Sequence, residues 1–334
     1  MYDFIKKYLF KFDPEFAHAL TLNTLKVADK IKLLTLFSEK IILPYECMGL
    51  HFKNPVGLAA GFDKNGDYID VFDALGFGFI EIGTVTKNPQ MGNPKPRLFR
   101  LEKEAALINR LGFNNKGIDY LIAQVKKTNY QGILGINIGK NRDTPLEKAL
   151  EDYLYLFQKA APVASYITIN ISSPNTENLR DLQQGKLLKN LLSTLKSAQK
   201  DQRKYVPLVV KISPDLTVDE LKNMADIFLE EQIDGVIATN TTLDRSQIEA
   251  SMIKSEKGGL SGKPLFARST LILSQLHELL EEKIPIIGCG GILDSNLAQE
   301  KIKAGASLLQ IYTGFIYKGP VLIREINKSL RNFA

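Results

Sequence analysis

The chain contains no tryptophan, and only two cysteines and three histidines among 334 residues. Cys47 and Cys289 lie far apart, which argues against a disulfide framework or a structural zinc site and fits a reducing compartment. His18, His51 and His277 form no pair at ligand spacing, no carboxylate cluster accompanies them, and none follows a strand-like run. Metal-dependent chemistry and imidazole acid–base catalysis are therefore not expected. No stretch approaches the ~20 apolar residues of a spanning helix, and no cationic start leads into a long apolar run, so neither a membrane span nor a cleaved signal is expected. The net charge of +6 is spread along the chain, without a dense Lys/Arg run interleaved with aromatics. That pattern disfavours nucleic acid and leaves a well-solvated surface, an anionic membrane surface or an anionic ligand.

What the chain does have, from residue 55 onward, is an alternation of strand, loop and amphipathic helix. The runs VGLAA (56–60), FIEIGTV (79–85), ILGINIG (133–139), YITINIS (166–172), PLVVKIS (207–213), GVIATNT (235–241), PIIGCGG (285–291) and LLQIYTG (308–314) are mostly short, β-branched and apolar on both faces, as buried parallel strands are. Helical patterns lie at 145–161, 217–232 and 295–306, with Thr217 and Ser295 as expected N-caps. Eight such units predict an α/β fold, a closed (β/α)₈ TIM barrel, with an open doubly wound sheet as the alternative. The connections 86–115 and 242–264 are too long for simple turns and are expected to be lids or walls. Residues 1–45 hold Phe4, Ile5, Leu9, Phe10, Phe12, Phe16, Leu20, Leu22, Leu25, Ile31, Leu34 and Phe37 among scattered lysines. They predict an N-terminal helical extension ahead of a barrel spanning 46–334, either closing the barrel's bottom or facing lipid.

Most strands end in a polar residue or a glycine: Lys64, Thr84, Asn137, Asn170 and Ser173, Lys211, Thr239 to Thr241, Gly290 and Gly291, Tyr312 and Thr313. The segment YITINISSPNT (166–176) is the most informative. Pro174 stops the ladder and stiffens the turn, leaving hydroxyls and carboxamides clustered where barrels place their chemistry. The plain alternative for Ser172 and Ser173 is turn chemistry. GCGG (288–291) and YTG (312–314) supply bare amides where barrels commonly bind a phosphate, or merely allow tight turns. Lys64 in GLAAGFDKNG and Lys211 in VVKIS are candidate Schiff-base nucleophiles or counter-ions to bound anions. Cradle, amide donors, cation and small-residue floor together suggest a flavin mononucleotide (FMN) site. Cys289 reads as core rather than as a reactive thiol, since its sequence neighbours give no cationic activation.

The motifs FDPEFAHAL, NPVGLAAGFDKNG, GFGFIEIGTVT, KPRLFRLEKEAALINRLGFNN, LGINIGKNRDTP, ITINISSPNT, VVKISPD, TNTT, GGLSGKPL and IIGCGGI stand in this order. The chain thereby resembles the dihydroorotate dehydrogenase family, in its membrane-associated, quinone-reducing class, over nearly its whole length. The resemblance implies Ser173 as catalytic base, where the class using soluble acceptors carries cysteine. It implies FMN contacts from Ala60, Gly61, Phe62, Asp63, Lys64, Thr84, Asn137, Asn170, Lys211, Thr239, Gly262, Gly291, Tyr312 and Thr313. It implies that substrate is held by Lys64, Asn109, Arg110, Leu111, Gly112, Phe113, Asn170, Asn175, Asn240 and Thr241, and it places His18 and Arg100 near a quinone channel.

The activity so implied is oxidation of (S)-dihydroorotate to orotate in pyrimidine biosynthesis, with a membrane quinone as acceptor. The protein would be a monomer held peripherally at the cytoplasmic face of a bacterial cell membrane, with the extension as quinone entrance. Glu177-Asn178 departs from the Pro-Gly expected in many relatives, which touches lid geometry. A Schiff-base lyase would instead be colourless and trapped by borohydride. A barrel reducing tRNA uridines needs a basic groove, which is not visible, and a non-catalytic membrane scaffold does not account for polar residues crowding the strand ends.

Overall fold

The computed structural model describes residues 2–34, 40–248 and 255–331; Phe37 and part of the second long connection lie outside them. Two helices come first, α1 (Tyr2–Leu9) and α2 (Pro14–Lys30). Asp13 starts α2 by accepting the amides of Glu15 and Phe16 at 3.0 Å, with Pro14 in the first turn. Strands β1 (Tyr45–Cys47) and β2 (Leu50–Phe52) form a hairpin around Met48 and Gly49, whose φ of +54° and +69° suit a two-residue turn.

The alternating part follows as β3 (Val56–Leu58), α3 (Ile69–Ala74), β4 (Phe79–Val85), β5 (Leu98–Leu101), β6 (Ala106–Asn109), α4 (Ile118–Val125), β7 (Ile133–Ile138), α5 (Ala149–Ala160) and β8 (Tyr166–Asn170). It continues with α6 (Gly185–Lys200), β9 (Leu208–Ile212), α7 (Val218–Glu230), β10 (Gly235–Ala238), β11 (Gly259–Gly262), α8 (Phe266–Leu280), β12 (Ile286–Cys289), α9 (Ser295–Lys303), β13 (Ala306–Ile311), α10 (Thr313–Lys318) and α11 (Val321–Leu330). Strands β3, β4, β7 to β10, β12 and β13 pair in parallel and close a barrel. The TIM barrel is thus the fold, and an open sheet is excluded. Several strands are shorter than the apolar runs suggest, because the chain leaves the ladder where the polar edge begins. β8 stops at Asn170 and β10 at Ala238.

Inside the barrel, glycines face large rings. A Cβ on Gly57 would stand 2.3 Å from the Phe79 ring, and one on Gly135 2.2 Å from the Tyr166 ring. Phe79, Tyr166, Val209, Ile237, Ile287 and Leu308 fill the lower barrel, and Phe52 closes it, its ring 5.1 Å from that of Phe79. The bottom cap is therefore the β1–β2 hairpin rather than the N-terminal helices. Those helices flank the mouth. Tyr2 donates to the Ile316 carbonyl at 2.5 Å and Lys26 to that of Asp67 at 2.8 Å. On β5's side, Arg97 pairs with Glu15 at 2.9 Å, and Arg100 donates to the carbonyls of Phe10 and Phe12 at 3.1 and 2.8 Å.

The two long connections meet. β11 runs antiparallel to β6, with Gly259 opposite Asn109 and Gly262 opposite Ala106, and β6 pairs with β5, so one three-stranded sheet stands beside the mouth. α7 begins with the expected cap, where Thr217 and Glu220 form a reciprocal capping box. At α9 the cap is Asp294, which accepts the Leu297 amide at 2.9 Å, and Ser295 is the first helical residue. Aspartate caps as well as serine and adds a favourable charge at the helix start.

Candidate functional site

The carboxyl edges of the barrel strands and the β5–β6–β11 sheet enclose a cavity. Ala60, Gly61, Lys64, Thr84, Asn170, Ser173, Lys211, Thr239, Gly262, Gly291, Tyr312 and Thr313 line it, with Asn109, Leu111, Gly112, Phe113, Asn175, Asn240 and Thr241. Four expected residues stand outside this lining. Asn137 is buried beneath it. Arg110 turns away to pair with Glu256 and stacks 4.6 Å from the Phe99 ring. Asp63 accepts the amides of Asn65, Asp67 and Tyr68 at 3.3, 3.0 and 2.8 Å, and so shapes the loop that carries Lys64. Phe62 faces a neighbouring apolar cavity.

Beneath the lining lies Glu81, the one charged residue of β4 and fully buried. It accepts Asn137 Nδ2 at 2.8 Å, the Tyr166 hydroxyl at 2.9 Å, the Thr168 hydroxyl at 3.1 Å and Gln310 Nε2 at 2.7 Å. These donors offset the cost of burying a carboxylate. Burial and the facing Glu81 push the Tyr166 phenol well up, so it remains a donor. Glu81 acts as the acceptor in all four bonds, and Asn137 presents its nitrogen to it. Its Oδ1 then accepts Thr84 Oγ1 at 2.6 Å and Asn170 Nδ2 at 3.2 Å. Asn170 Oδ1 in turn accepts Ser172 Oγ at 3.2 Å and Asn240 Nδ2 at 3.4 Å. One acceptor deep in the barrel thus sets the sense of Asn137, Asn170 and Asn240 in turn.

The two adjacent serines differ sharply. Ser172 is fully buried and takes a further bond from Asn240 Nδ2 at 3.0 Å, so its hydroxyl is engaged. Ser173 lines the cavity; its Oγ accepts the Asn175 amide at 3.2 Å, and no described residue accepts its proton. Arg180, unmarked by any motif, ties this loop down. It donates to the carbonyls of Ser172 and Thr241, both at 3.2 Å, and pairs with Asp215 at 2.9 Å. Asp215 also accepts the Leu243 amide at 2.9 Å and the Thr242 hydroxyl. Loops after β8, β9 and β10 are so joined. Asn178 takes the left-handed conformation at φ +55°, which asparagine tolerates, so the Glu177-Asn178 departure still supports a turn a glycine would make. Phe113 is also left-handed, at φ +52°; its carbonyl accepts Asn115 Nδ2 at 2.7 Å, which fixes the ring against the cavity.

Two cations face the cavity. Lys64 donates to the Gly61 carbonyl at 2.9 Å, and burial pushes its ammonium down to about 8. Lys211 Nζ has no hydrogen-bond or ion-pair partner among the described residues, and the buried Thr241 hydroxyl is also unpartnered. Cys289 does meet cations in space, Lys211 and Lys301, yet burial dominates and raises its thiol, so its assignment to the core stands.

A second cavity of about 910 Å³ adjoins the first, between α1, α2 and the barrel. His18 and Arg100 both stand in its otherwise largely apolar wall. Burial pushes the His18 imidazole down to about 4, helped by the Lys64 charge. It is neutral at physiological pH and donates Nε2–H to the Phe62 carbonyl at 3.0 Å. Lys64, Leu98, Leu107, Leu111 and Tyr312 line both cavities, so one layer of side chains divides them.

Comparison with known proteins bears on this arrangement. The model of the family described as dihydroorotate dehydrogenase matches residues 42–333. The chain is 53% identical to the dihydroorotate dehydrogenase (quinone) of Vibrio atlanticus, over 99% of this chain and all of that one. It is 54% identical to that of Yersinia enterocolitica, over 97% and 98% of the two chains. Among solved structures, ligand-free DHODH from Eimeria tenella superposes with a TM-score of 0.88 at 38% identity, covering 96% of this chain and 95% of that one. The same enzyme in complex with ferulenol gives 0.87 at 38% identity, covering 96% and 91%.

Proposed function

The chain belongs to the dihydroorotate dehydrogenase family, and from that premise we propose how its residues carry out the reaction of the quinone class, oxidation of dihydroorotate to orotate with FMN as prosthetic group and a quinone as final acceptor. The donor set of the cavity fits that cofactor. Lys211 presents a cation without a partner among the described residues, and Gly290 and Gly291, at φ +116° and +78°, form a turn only glycine takes easily. Bound FMN supplies the two-electron acceptor for the hydride.

The chain's own residues do the rest. Gly262, Gly291, Tyr312 and Thr313 surround the phosphate edge, Ala60 and Gly61 form a floor without bulk, and Lys211 balances negative charge at the ring edge. Lys64 holds the substrate carboxylate, while Asn109, Asn170, Asn175, Asn240 and Thr241 grip its ring, each carboxamide offering donor and acceptor together. Such positioning can supply ~7–11 kcal/mol. Ser173 takes the proton from the carbon alpha to the carbonyl while its own hydroxyl proton passes to a single water held in the cavity, the hydride leaves from the adjacent carbon, and Phe113 keeps bulk water away. Residues 1–45 act as a separate quinone-entrance unit resting on a membrane surface. No helix among the described residues is long and apolar enough to cross a membrane. Phe4, Val27 and Ile31 are 66%, 62% and 68% exposed, with Lys7, Lys11 and Lys30 close to them in sequence, exposed apolar side chains among lysines of the kind that suit a membrane interface.

The observation that carries the catalytic assignment is the meeting of an uncommitted Ser173 hydroxyl and an unpaired Lys211 ammonium in one cavity. Purified full-length protein should be yellow, and anaerobic dihydroorotate should bleach it. A colourless protein, or a yellow one indifferent to dihydroorotate, removes this reading. The Lys64 assignment adds a pH dependence. With an ammonium pushed down to about 8 in the free protein, the protonated form that pairs with a carboxylate is lost as pH rises through that value. Orotate affinity, read from the flavin spectrum, should be level below it and fall above it, approaching tenfold per unit. A profile that stays level well above it takes Lys64 out of the carboxylate site.

A further inference from the structure

Behind the Gly290–Gly291 turn lies Lys301 of α9, whose side chain is fully buried. Its Nζ donates to Ser269 Oγ at 2.7 Å and stands 5.3 Å from the centroid of the Phe266 ring. No carboxylate lies within ion-pair distance of it among the described residues. Ser269 Oγ lies 3.1 Å from the carbonyls of both Gly290 and Phe266, which share its single proton. A Cβ on Gly290 would stand 2.9 Å from Ser269 Oγ, and one on Gly291 2.5 Å from Phe266 Cα. The turn, the first turn of α8 and the ammonium are therefore one packed block. Its other face is the cavity edge, where Gly262, Gly290, Gly291 and Thr313 lie.

A buried ammonium without an anion is unfavourable. Burial accordingly pushes Lys301 down to about 7, and the nearby Cys289 thiol, itself raised, provides little compensation. What is missing from the block among the described residues is negative charge, and the turn that the block supports forms an edge of the cavity.

We propose that Lys301 is a positioning residue for the phosphate group at the Gly290–Gly291 edge, the buried counter-charge that acts across Ser269 and the turn without touching the ligand. The proposal rests on the flavin reading above. It separates Lys301 from the residues that meet the flavin ring, and so predicts an effect confined to phosphate.

The test uses full-length protein freed of flavin and titrated with FMN and with riboflavin, which has the same ring system and no phosphate, following flavin fluorescence. Lys301→Met should weaken FMN binding on the order of 10- to 100-fold and leave riboflavin binding unchanged. If this variant does not fold, Lys301→Gln, which keeps a polar contact to Ser269 and removes the charge, takes its place. Unchanged FMN affinity overturns the proposal. So does an equal loss for both flavins, which would make Lys301 a packing residue. Failure of the wild-type protein to bind either flavin would instead refute the cofactor reading.

Discussion

Replacing Ser173 with alanine should slow the anaerobic bleaching of the bound flavin by dihydroorotate by about 10²–10⁴-fold, the usual contribution of a general base. Flavin content and orotate affinity should barely change. The Ser173 hydroxyl makes one bond, accepted from the Asn175 amide at 3.2 Å, and that amide can turn to water. Ser172→Ala gives the contrasting pattern. Ser172 Oγ stands between Asn170 Oδ1 and Asn240 Nδ2 at 3.2 and 3.0 Å, so its removal loosens the asparagines that grip the ring and shows first in affinity. Stopped-flow absorbance with each variant separates the two. Near-normal bleaching by the Ser173 variant would transfer the base to another group.

The second large effect lies across the dividing layer. Removing residues 1–30 strips Phe10, Ala17, His18 and Leu22 from the apolar cavity and should cut quinone reduction by about 10²-fold or more through lost positioning. Bleaching by dihydroorotate should survive, because Lys64, Asn109, Asn170 and Ser173 belong to the barrel and its side sheet. Ala17→Trp, which fills the cavity from a buried position on α2, should reproduce the loss without removing a helix. The two half-reactions can be timed separately in one stopped-flow instrument. Equal loss of both would make the helices structural supports.

How far the amino-acid order reveals this molecule depends on how local each signal is. Barrel strands announce themselves as β-branched runs buried on both faces, and the polar residues at their ends were legible for the same reason. The side sheet was not. LFRL is only four residues long, and the pairing of Asn109 with Gly259 joins positions 150 apart, so neither strand carries a pattern pointing to the other. Glu81 had a faint signal, a lone carboxylate in an otherwise uncharged strand, but nothing in FIEIGTV says that its partners come from β7, β8 and β13. Lys301 had less still. It sits three residues after the buried Ala298, on a helix rich in charged residues, where a lysine is expected to face water. Arg180 is similar, since its partners are loop carbonyls that only the folded chain assembles. Residues whose roles depend on contacts between distant loops are the ones that pattern alone leaves hidden.

Because β11 completes a ladder begun by β5 and β6, the wall segments 86–115 and 242–264 are not independent parts. Shifting one strand by a single residue would turn its inward side chains outward. A chimera that borrowed one segment from a relative would have to borrow its mate as well, and sequence drift in either should be answered in the other.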